Sequence, residues 1–424
     1  TIYGVVDADL LSVEFAQVFI DSAAAGTIDA LELAGTCVMD SDDVDVDALT
    51  LGLFGILDGE GTLDVAQPIQ RWGGTMRGDG TTIAHAGVDL LGPNVANLDR
   101  TLESMGDSTW ETTGWNFSIS SNGTFHNHPG MTFDIDGGGI MWWSTVDAGV
   151  FVNDGVVRSL DVLPDAVRVE FVNNGTLEAN ADFAFDVAPT NLVGNILTGG
   201  TWIARGGMRI FGDDVHHLDA HVVLDGASAI LLDEFGNDAL DDLSSIDPLG
   251  SMTLSNCATI TPAPTLDVFG MLRGSGVVAA DIFNDGIVAP GGDGAAGELV
   301  VEGNYAQTCF GALYVELGGT APVTEHDVLS VFGTATLDGH LAIPLLDGWS
   351  VTVGELYTIL DAATVVNQFL SADCPAIYQV QYGAADVDLE VILTQPTGDI
   401  NCDGLVDVIA VSYTHLTLPT KVTV

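Results

Sequence analysis

The sequence contains very few basic residues. Nine Lys and Arg stand against 60 Asp and Glu, which gives a net charge of −51, and the one Lys is Lys421. A field of this sign repels phosphate backbones and anionic lipids, so nucleic acids and membrane surfaces are poor partners for this chain. Cations are attracted instead, and an acidic, strongly hydrated surface suits a salty medium.

Long apolar runs and paired cysteines are also missing. No stretch reaches the ~18 apolar residues of a membrane helix, so no membrane span is predicted. The five Cys are scattered without a CxxC pair, and we expect most of them to be small buried residues, although one pair could bridge in an exported protein. The chain starts at Thr1 rather than Met, so we expect its natural start, with any signal peptide, to lie upstream.

Glycine is abundant, with 51 residues, and it recurs in short turns that each lead into an apolar strand. These turns are GGTM (73–76), NGTF (122–125), NGTL (174–177), GGTW (199–202) and NDGIV (284–288). Several follow one another at intervals of about 25 or 50 residues, which is typical of stacked coils. Gly and Asn are predicted to supply corners with positive φ. The pattern predicts an all-β solenoid; one or several β-sandwiches remain the alternative, which the scarcity of tight hairpin signals disfavours.

Several segments resemble the coils of bacterial surface proteins that are right-handed parallel β-helices related to autotransporter passenger domains. The resemblance rests on residues 70–91, 98–110 and 120–136, on the passenger-associated repeat at 270–292, and on closing segments at 303–319 and 326–348. It implies an all-β, right-handed parallel β-helix with a β-rich C-terminal closing region. It also implies export to the cell surface or the extracellular medium.

Four zones are predicted along the chain. Residues 1–303 form the β-helix coils, 304–395 the β-rich closing region and 396–410 a small calcium-binding module. The segment QPTG (395–398) links the module to the preceding region. Residues 411–424 include SYTHLTLPTK, which resembles a translated sequencing adapter, so we expect these residues to be an artefact tail.

The segment GDINCDGLVD (398–407) resembles the first calcium loop of a type I dockerin repeat. A hard cation such as Ca²⁺ prefers six to eight oxygen ligands, which alternate residues of a tight loop can supply. The resemblance implies ligands from Asp399, Asn401, Asp403, Leu405 (through its carbonyl) and Asp407. The twelfth loop position is Ala410, where an acidic ligand is expected. The implied partner is a cohesin-like or other surface protein.

Two further groups could support polysaccharide chemistry. The pair Asp213 and Asp214 could act as the acid and base of a polygalacturonase-like hydrolase, but the companion motifs of that family are absent, which favours a solvated corner. Arg205 and Arg209 are the one close basic pair and could include a lyase base. Because no acidic cluster accompanies them in the sequence, surface ion pairs with neighbouring Asp are the competing interpretation.

Histidine and tryptophan give the remaining candidates. His126 and His128 lie two residues apart, so they share a strand face and could chelate a metal such as Zn²⁺. A second His cluster is His216, His217 and His221, and possible sugar-stacking aromatics are Trp110, Trp115, Trp142 and Trp143. For the histidines the alternative is a polar corner, and for the tryptophans it is the core, since adjacent strand residues face opposite ways.

Taken together, the sequence predicts an exported structural or adhesive β-helix protein with a calcium-dependent docking module at its C-terminal end. The alternative is a polysaccharide-active enzyme working in a lateral groove of the helix. Three or more carboxylates converging in one groove beside an aromatic platform would favour catalysis.

Overall fold

The structure is a computed structural model. It describes residues 1–92, 94–111, 116–120, 122–137, 140–142 (without the Trp142 side chain), 149–160, 165–212, 214–292, 294–346, 349–374 and 376–393. Every helix or strand that occurs in these ranges is a β-strand, which confirms the all-β prediction. The described ranges therefore contain no helix that could cross a membrane.

The strands are short and closely spaced. The first part of the chain contains β1 (Val5–Ala8), β2 (Leu11–Val13), β3 (Gln17–Ile20), β4 (Ala25–Leu33), β5 (Thr36–Met39), β6 (Asp43–Leu51), β7 (Ile56–Asp58), β8 (Leu63–Val65), β9 (Ile69–Arg71), β10 (Thr75–Ala84), β11 (Val88–Leu90), β12 (Ala96–Ser104), β13 (Ser108–Glu111), β14 (Asn116–Ile119), β15 (Thr124–Asn127), β16 (Thr132–Asp136), β17 (Ile140–Trp142), β18 (Val150–Asn153), β19 (Val156–Ser159), β20 (Asp165–Val167), β21 (Glu170–Asn173) and β22 (Thr176–Ala179). The second part contains β23 (Phe183–Phe185), β24 (Leu192–Val193), β25 (Ile196–Ala204), β26 (Gly207–Arg209), β27 (His217–Asp225), β28 (Ile230–Leu232), β29 (Ser245–Ile246), β30 (Ser251–Ile260), β31 (Thr265–Val268), β32 (Met271–Val278), β33 (Asp281–Asn284), β34 (Ile287–Pro290), β35 (Glu298–Val301), β36 (Tyr305–Gln307), β37 (Ala312–Tyr314), β38 (Val328–Leu337), β39 (His340–Ala342), β40 (Leu356–Asn367), β41 (Ser371–Ala372), β42 (Tyr378–Tyr382) and β43 (Asp386–Val391).

The chain folds into two compact units. The first comprises Thr1–Val215 and Ala220–Ala239, and the second comprises His216–Asp219 together with the chain from Leu240 onward. In the first unit, strands from successive coils pair in parallel, as β15 does with β18 and β18 with β21. A short antiparallel pair, β24 with β25, interrupts this pattern. Parallel pairing between coils is the arrangement of a β-solenoid, so the predicted solenoid is confirmed.

Alternation along each strand explains why the coils stack. In β6, Val44 and Val46 are buried, whereas Asp43, Asp45 and Asp47 between and beside them are exposed. Because side chains on a strand point alternately to its two faces, this sequence buries one face against the coil interior and leaves the other in water. The acidic residues thus collect on the outer face.

An aromatic stack fills the interior of the first unit. Phe125, Phe151 and Phe171 occupy equivalent positions in β15, β18 and β21 and are fully or almost fully buried. Their ring centroids are 5.0 and 5.4 Å apart in turn, and the ring planes differ by 14° and 13°. In-register parallel pairing places identical side chains directly above one another, so the ring spacing follows the rise between coils.

Buried asparagines form a ladder two residues after these phenylalanines. The Asn127 amide donates to Asn153 Oδ1 at 2.9 Å, and the Asn153 amide donates to Asn173 Oδ1 at 2.8 Å. Asn153 also donates to the Thr176 carbonyl at 2.9 Å. The ladder therefore satisfies backbone carbonyls where each coil turns, which is a role that the sequence interpretation did not assign to Asn.

The prediction of positive φ at the glycine corners is correct at some turns and wrong at others. Gly200 in GGTW has φ 65°, as predicted. Gly175 in NGTL has no positive φ; instead, a Cβ atom there would lie 2.0 Å from the Gly155 carbonyl oxygen of the neighbouring coil. Glycine is required at that corner because two backbones pass in contact, and the same applies to Gly123 and Gly155.

The second unit continues the parallel pairing and then changes to antiparallel pairing. Parallel ladders join β35 to β38 and β38 to β40. Antiparallel ladders then join β40 to β43 and β42 to β43. The β-rich closing region is thus present, while a domain boundary between residues 303 and 304 stays a prediction.

The cysteine prediction holds only in part, and one arginine lies in the core. Cys37 is buried as predicted, but Cys257 and Cys309 are exposed free thiols, and Cys374 is disulfide-bonded. Arg71 is completely buried; it donates to the Asn97 carbonyl at 2.7 Å, and burial lowers its pKa to about 9. Arg71 lies on the same inward face of β9 as the buried Ile69, as strand alternation dictates, although an arginine side chain is seldom buried.

Candidate metal centre

Side chains from neighbouring coils of the first unit meet at one outer-face cluster. Glu103 on β12 pairs in register with His126 on β15, and His128 follows immediately after β15. His126 and His128 point outward because the intervening Asn127 and the preceding Phe125 point into the core. The prediction that the two histidines share a face is confirmed.

The three side chains converge on a single oxygen atom. Glu103 Oε2 lies 2.8 Å from His126 Nδ1 and 2.7 Å from His128 Nε2. One potential ligand atom from each residue lies within 4.8 Å of the other two. The two imidazole centroids are 4.1 Å apart with planes inclined at 31°. These are the distances of a preassembled polar cluster rather than of independent surface residues.

Asp154 supports the cluster from the next coil. Its Oδ2 lies 2.8 Å from His126 Nε2, and its Oδ1 accepts a hydrogen bond of 2.8 Å from the Asn174 amide. Partial removal from water raises the pKa of Asp154, but the hydrogen bonds from Asn174 and His126 outweigh this and hold the pKa below its usual value. Asp154 is consequently an ionised acceptor that fixes the orientation of the His126 ring.

Sequence reasoning found the two histidines and missed both carboxylates. Glu103 is 23 residues before His126 and Asp154 is 28 residues after it. A spacing near the coil length is the one signal that could have identified them, since residues one coil apart lie side by side. That signal requires the register of the coils, which the turns alone did not fix.

The proposed hydrolase pair is described only in part, and the two proposed lyase arginines are engaged in ion pairs. Asp213 lies outside the described residues, and Asp214 is half-buried with its carbonyl accepting from the Asn195 amide at 2.9 Å. Arg205 pairs with Asp225 at 2.9 Å and also with Glu178, and Arg209 pairs with Asp186 at 2.6 Å. The interpretation of Arg205 and Arg209 as surface ion pairs is confirmed.

Two members of the second histidine group have ordinary partners. His217 Nδ1 lies 2.8 Å from the Ser245 hydroxyl, and His216 Nε2 lies 3.9 Å from an Asp242 carboxylate oxygen. Among the aromatic candidates, Trp110 is buried against Phe117 and Phe133, which confirms its place in the core and excludes it from a sugar platform. Trp115, Trp143 and the Trp142 side chain lie outside the described part of the chain.

The predicted calcium ligands cannot be placed. Asp399, Asn401, Asp403, Leu405 and Asp407 lie in residues 394–424, beyond the described ranges. The calcium site therefore stays a prediction.

Three of the shallow grooves on the described surface have fully described linings. One of about 260 Å³ is lined by three carboxylates, Asp29, Asp45 and Asp47, and has no aromatic side chain in its lining. A second, of about 560 Å³, has Glu298 and Asp361 beside the exposed Phe332. The third, of about 520 Å³, has Glu325 as its one acidic side chain and Trp349 as its aromatic one. None of the three combines three carboxylates with an aromatic platform.

Comparison with protein-family models and with curated proteins found no match. The parallel β-solenoid fold rests on the strand pairing itself.

Proposed function

We propose that this protein is an exported structural or adhesive component of a cell surface or secretome, with a C-terminal calcium-binding module that docks it to another surface protein. The solenoid acts as a scaffold whose outer face is acidic and hydrated. The observation that supports this best is the lining of the groove with three carboxylates, which contains no aromatic side chain that could stack on a sugar. The disulfide-bonded state of Cys374 also suits an oxidising, extracellular environment.

A direct test asks whether the protein cleaves polysaccharides. The full chain is incubated with polygalacturonate, alginate and a neutral β-glucan, and reducing ends and unsaturated uronates are measured. We expect no product above buffer, because none of the three described grooves combines three carboxylates with an aromatic platform.

A variant of the groove lined by Asp29, Asp45 and Asp47 tests the alternative function, a polysaccharide-active enzyme. If product forms and is lost in the double variant Asp45→Asn, Asp47→Asn but not in Asp7→Asn, the protein is an enzyme and the scaffold proposal is wrong. Asp7 is a suitable control because it is exposed on β1 and does not line that groove.

The docking module has its own prediction. Replacing Ala410 with Glu should strengthen Ca²⁺ binding by about tenfold or more, because a bidentate carboxylate closes the ligand shell at the twelfth loop position. Calorimetric titration of the full chain with Ca²⁺ measures the change. Adding Asp399→Ala to this variant should abolish the gain.

An unchanged Ca²⁺ affinity in Ala410→Glu would contradict the dockerin-like interpretation. A gain that survives Asp399→Ala would place the cation elsewhere on the acidic surface. Both outcomes are independent of the polysaccharide assay, so the docking and scaffold parts of the proposal are tested separately.

A further inference from the structure

We propose that Glu103, His126 and His128 form a binding site for a borderline transition-metal ion such as Zn²⁺, with Asp154 as the positioning residue. The site goes beyond the scaffold and docking roles and does not depend on them. It differs from the predicted calcium loop in its place in the chain and in its ligand chemistry.

The donor set selects the class of metal. Two imidazole nitrogens and one carboxylate oxygen suit Zn²⁺, Co²⁺, Ni²⁺ or Cu²⁺, whereas Ca²⁺ and Mg²⁺ prefer oxygen-only shells. The side chains of the three ligand residues are 23–27 % exposed, so the site is partly screened yet reachable from solvent. A fourth coordination position would face solvent and could hold water or a partner's side chain.

The two contacts of Glu103 require only a small adjustment to accept the ion. Ligand atoms of a tetrahedral zinc site are separated by about 3.3 Å, given metal–ligand distances of about 2.0–2.1 Å. Glu103 Oε2 now lies 2.8 and 2.7 Å from the two imidazole nitrogens. Widening by about half an ångström is within the reach of side-chain rotation, since no ligand residue is fully buried.

Asp154 supplies a second and separate observation. It accepts from His126 Nε2 on the side of the ring opposite to Glu103, at 2.8 Å. A proton held at Nε2 by Asp154 would leave the lone pair of Nδ1 facing Glu103 and His128, and a metal ligand needs this tautomer. Asn174 fixes the other Asp154 oxygen at 2.8 Å, so the orienting carboxylate is itself held in place. Carboxylate–histidine–metal arrangements of this kind are common around zinc.

The competing arrangement is a metal-free network in which His126 is an imidazolium ion held between two carboxylates. It uses the same contacts but predicts no selective metal uptake. Measurement of metal binding therefore separates the two directly.

The test uses the full chain, stripped with a chelator, and ZnCl₂ or CoCl₂ as the metal alone. We expect one Zn²⁺ per chain to compete with a chromophoric chelator, and bound Co²⁺ to give the intense visible bands of a four-coordinate ion. Glu103→Gln and His128→Ala should each weaken Zn²⁺ binding at least tenfold. Asp154→Asn should weaken it by roughly 10- to 100-fold while keeping the Co²⁺ bands, because it orients a ligand without being one.

His85→Ala is the matched control. His85 is another outward histidine of the first unit, with Nε2 2.7 Å from Asp64 Oδ1, but it belongs to no group of three potential metal ligands among the described residues. Its replacement should leave Zn²⁺ affinity unchanged. Circular dichroism of each chelator-treated variant shows whether the fold is intact. Equal Zn²⁺ affinity in the wild type, Glu103→Gln and His128→Ala, or absence of a Co²⁺ spectrum in the wild type, would overturn the proposal.

Discussion

Replacing Phe151 with Ala should destabilise the first unit by about 3–5 kcal/mol. Phe151 is fully buried and lies between the rings of Phe125 and Phe171, at 5.0 and 5.4 Å. Truncation removes both stacking contacts and leaves a cavity that adjacent coils cannot close, because each coil is hydrogen-bonded to its neighbours along whole strands. Phe151→Leu keeps most of the volume and should cost less than half as much.

Hydrogen exchange read by mass spectrometry is the measurement suited to this variant. A solenoid unit is coupled mainly between neighbouring coils, so protection should fall first in β15, β18 and β21 and less in distant strands. Phe235→Ala is the control, since Phe235 is 80 % exposed in the same unit and its loss should change stability by no more than ~0.5 kcal/mol. Similar exchange in the two variants would show that the aromatic stack does not support the coils.

Stability of the second unit should fall as pH rises from about 4 to 7, and Asp327 should be a principal cause. Asp327 is 1 % exposed and accepts backbone hydrogen bonds from Gly297 at 2.9 Å and Glu316 at 2.8 Å. Burial raises its pKa from 3.8 to about 7, against the lowering effect of those two hydrogen bonds. The buried carboxyl is therefore neutral in a range where the unfolded chain carries a carboxylate.

The sign of the pH effect follows from proton binding. The folded state holds the Asp327 proton more tightly than the unfolded state does. The stabilising contribution of this proton is therefore complete below about pH 4 and is lost as the pH rises through about 7. At about 1.4 kcal/mol per pKa unit, the loss is on the order of 4 kcal/mol.

Urea unfolding at pH 4, 5.5, 7 and 8 measures the effect for the wild type and for Asp327→Ala. The variant should be less stable at pH 4, where it loses two hydrogen bonds, and its stability should depend less on pH between 4 and 7. Asp361→Ala, at an exposed position of the same unit, should keep the wild-type slope. Parallel slopes for Asp327→Ala and the wild type would refute the assignment to Asp327. The high overall negative charge acts in the same direction in all three proteins, so the difference in slope isolates the residue.

Strand alternation and the recurring turns were enough to predict the all-β solenoid. In a strand such as β6, the alternation leaves one apolar face, with Val44 and Val46, and one acidic face, with three Asp. Because the pattern repeats, each coil buries its apolar face by stacking on the neighbouring coils. The pairing of His126 with His128 was likewise local, since residues two apart on a strand share a face. Both features follow from residues that lie close together in the sequence, so they can be predicted without knowledge of the tertiary structure.

Features that depend on the register between coils were decided by the tertiary structure. Glu103 and Asp154 reach His126 from residues 23 and 28 positions away, and no local pattern marks them as its partners. Gly175 is required by the carbonyl of Gly155 on the adjacent coil, and the Asn127–Asn153–Asn173 ladder likewise joins residues of adjacent coils. The period-two pattern specifies which residues face inward, but only the stacked coils bring residues distant in sequence within hydrogen-bonding distance.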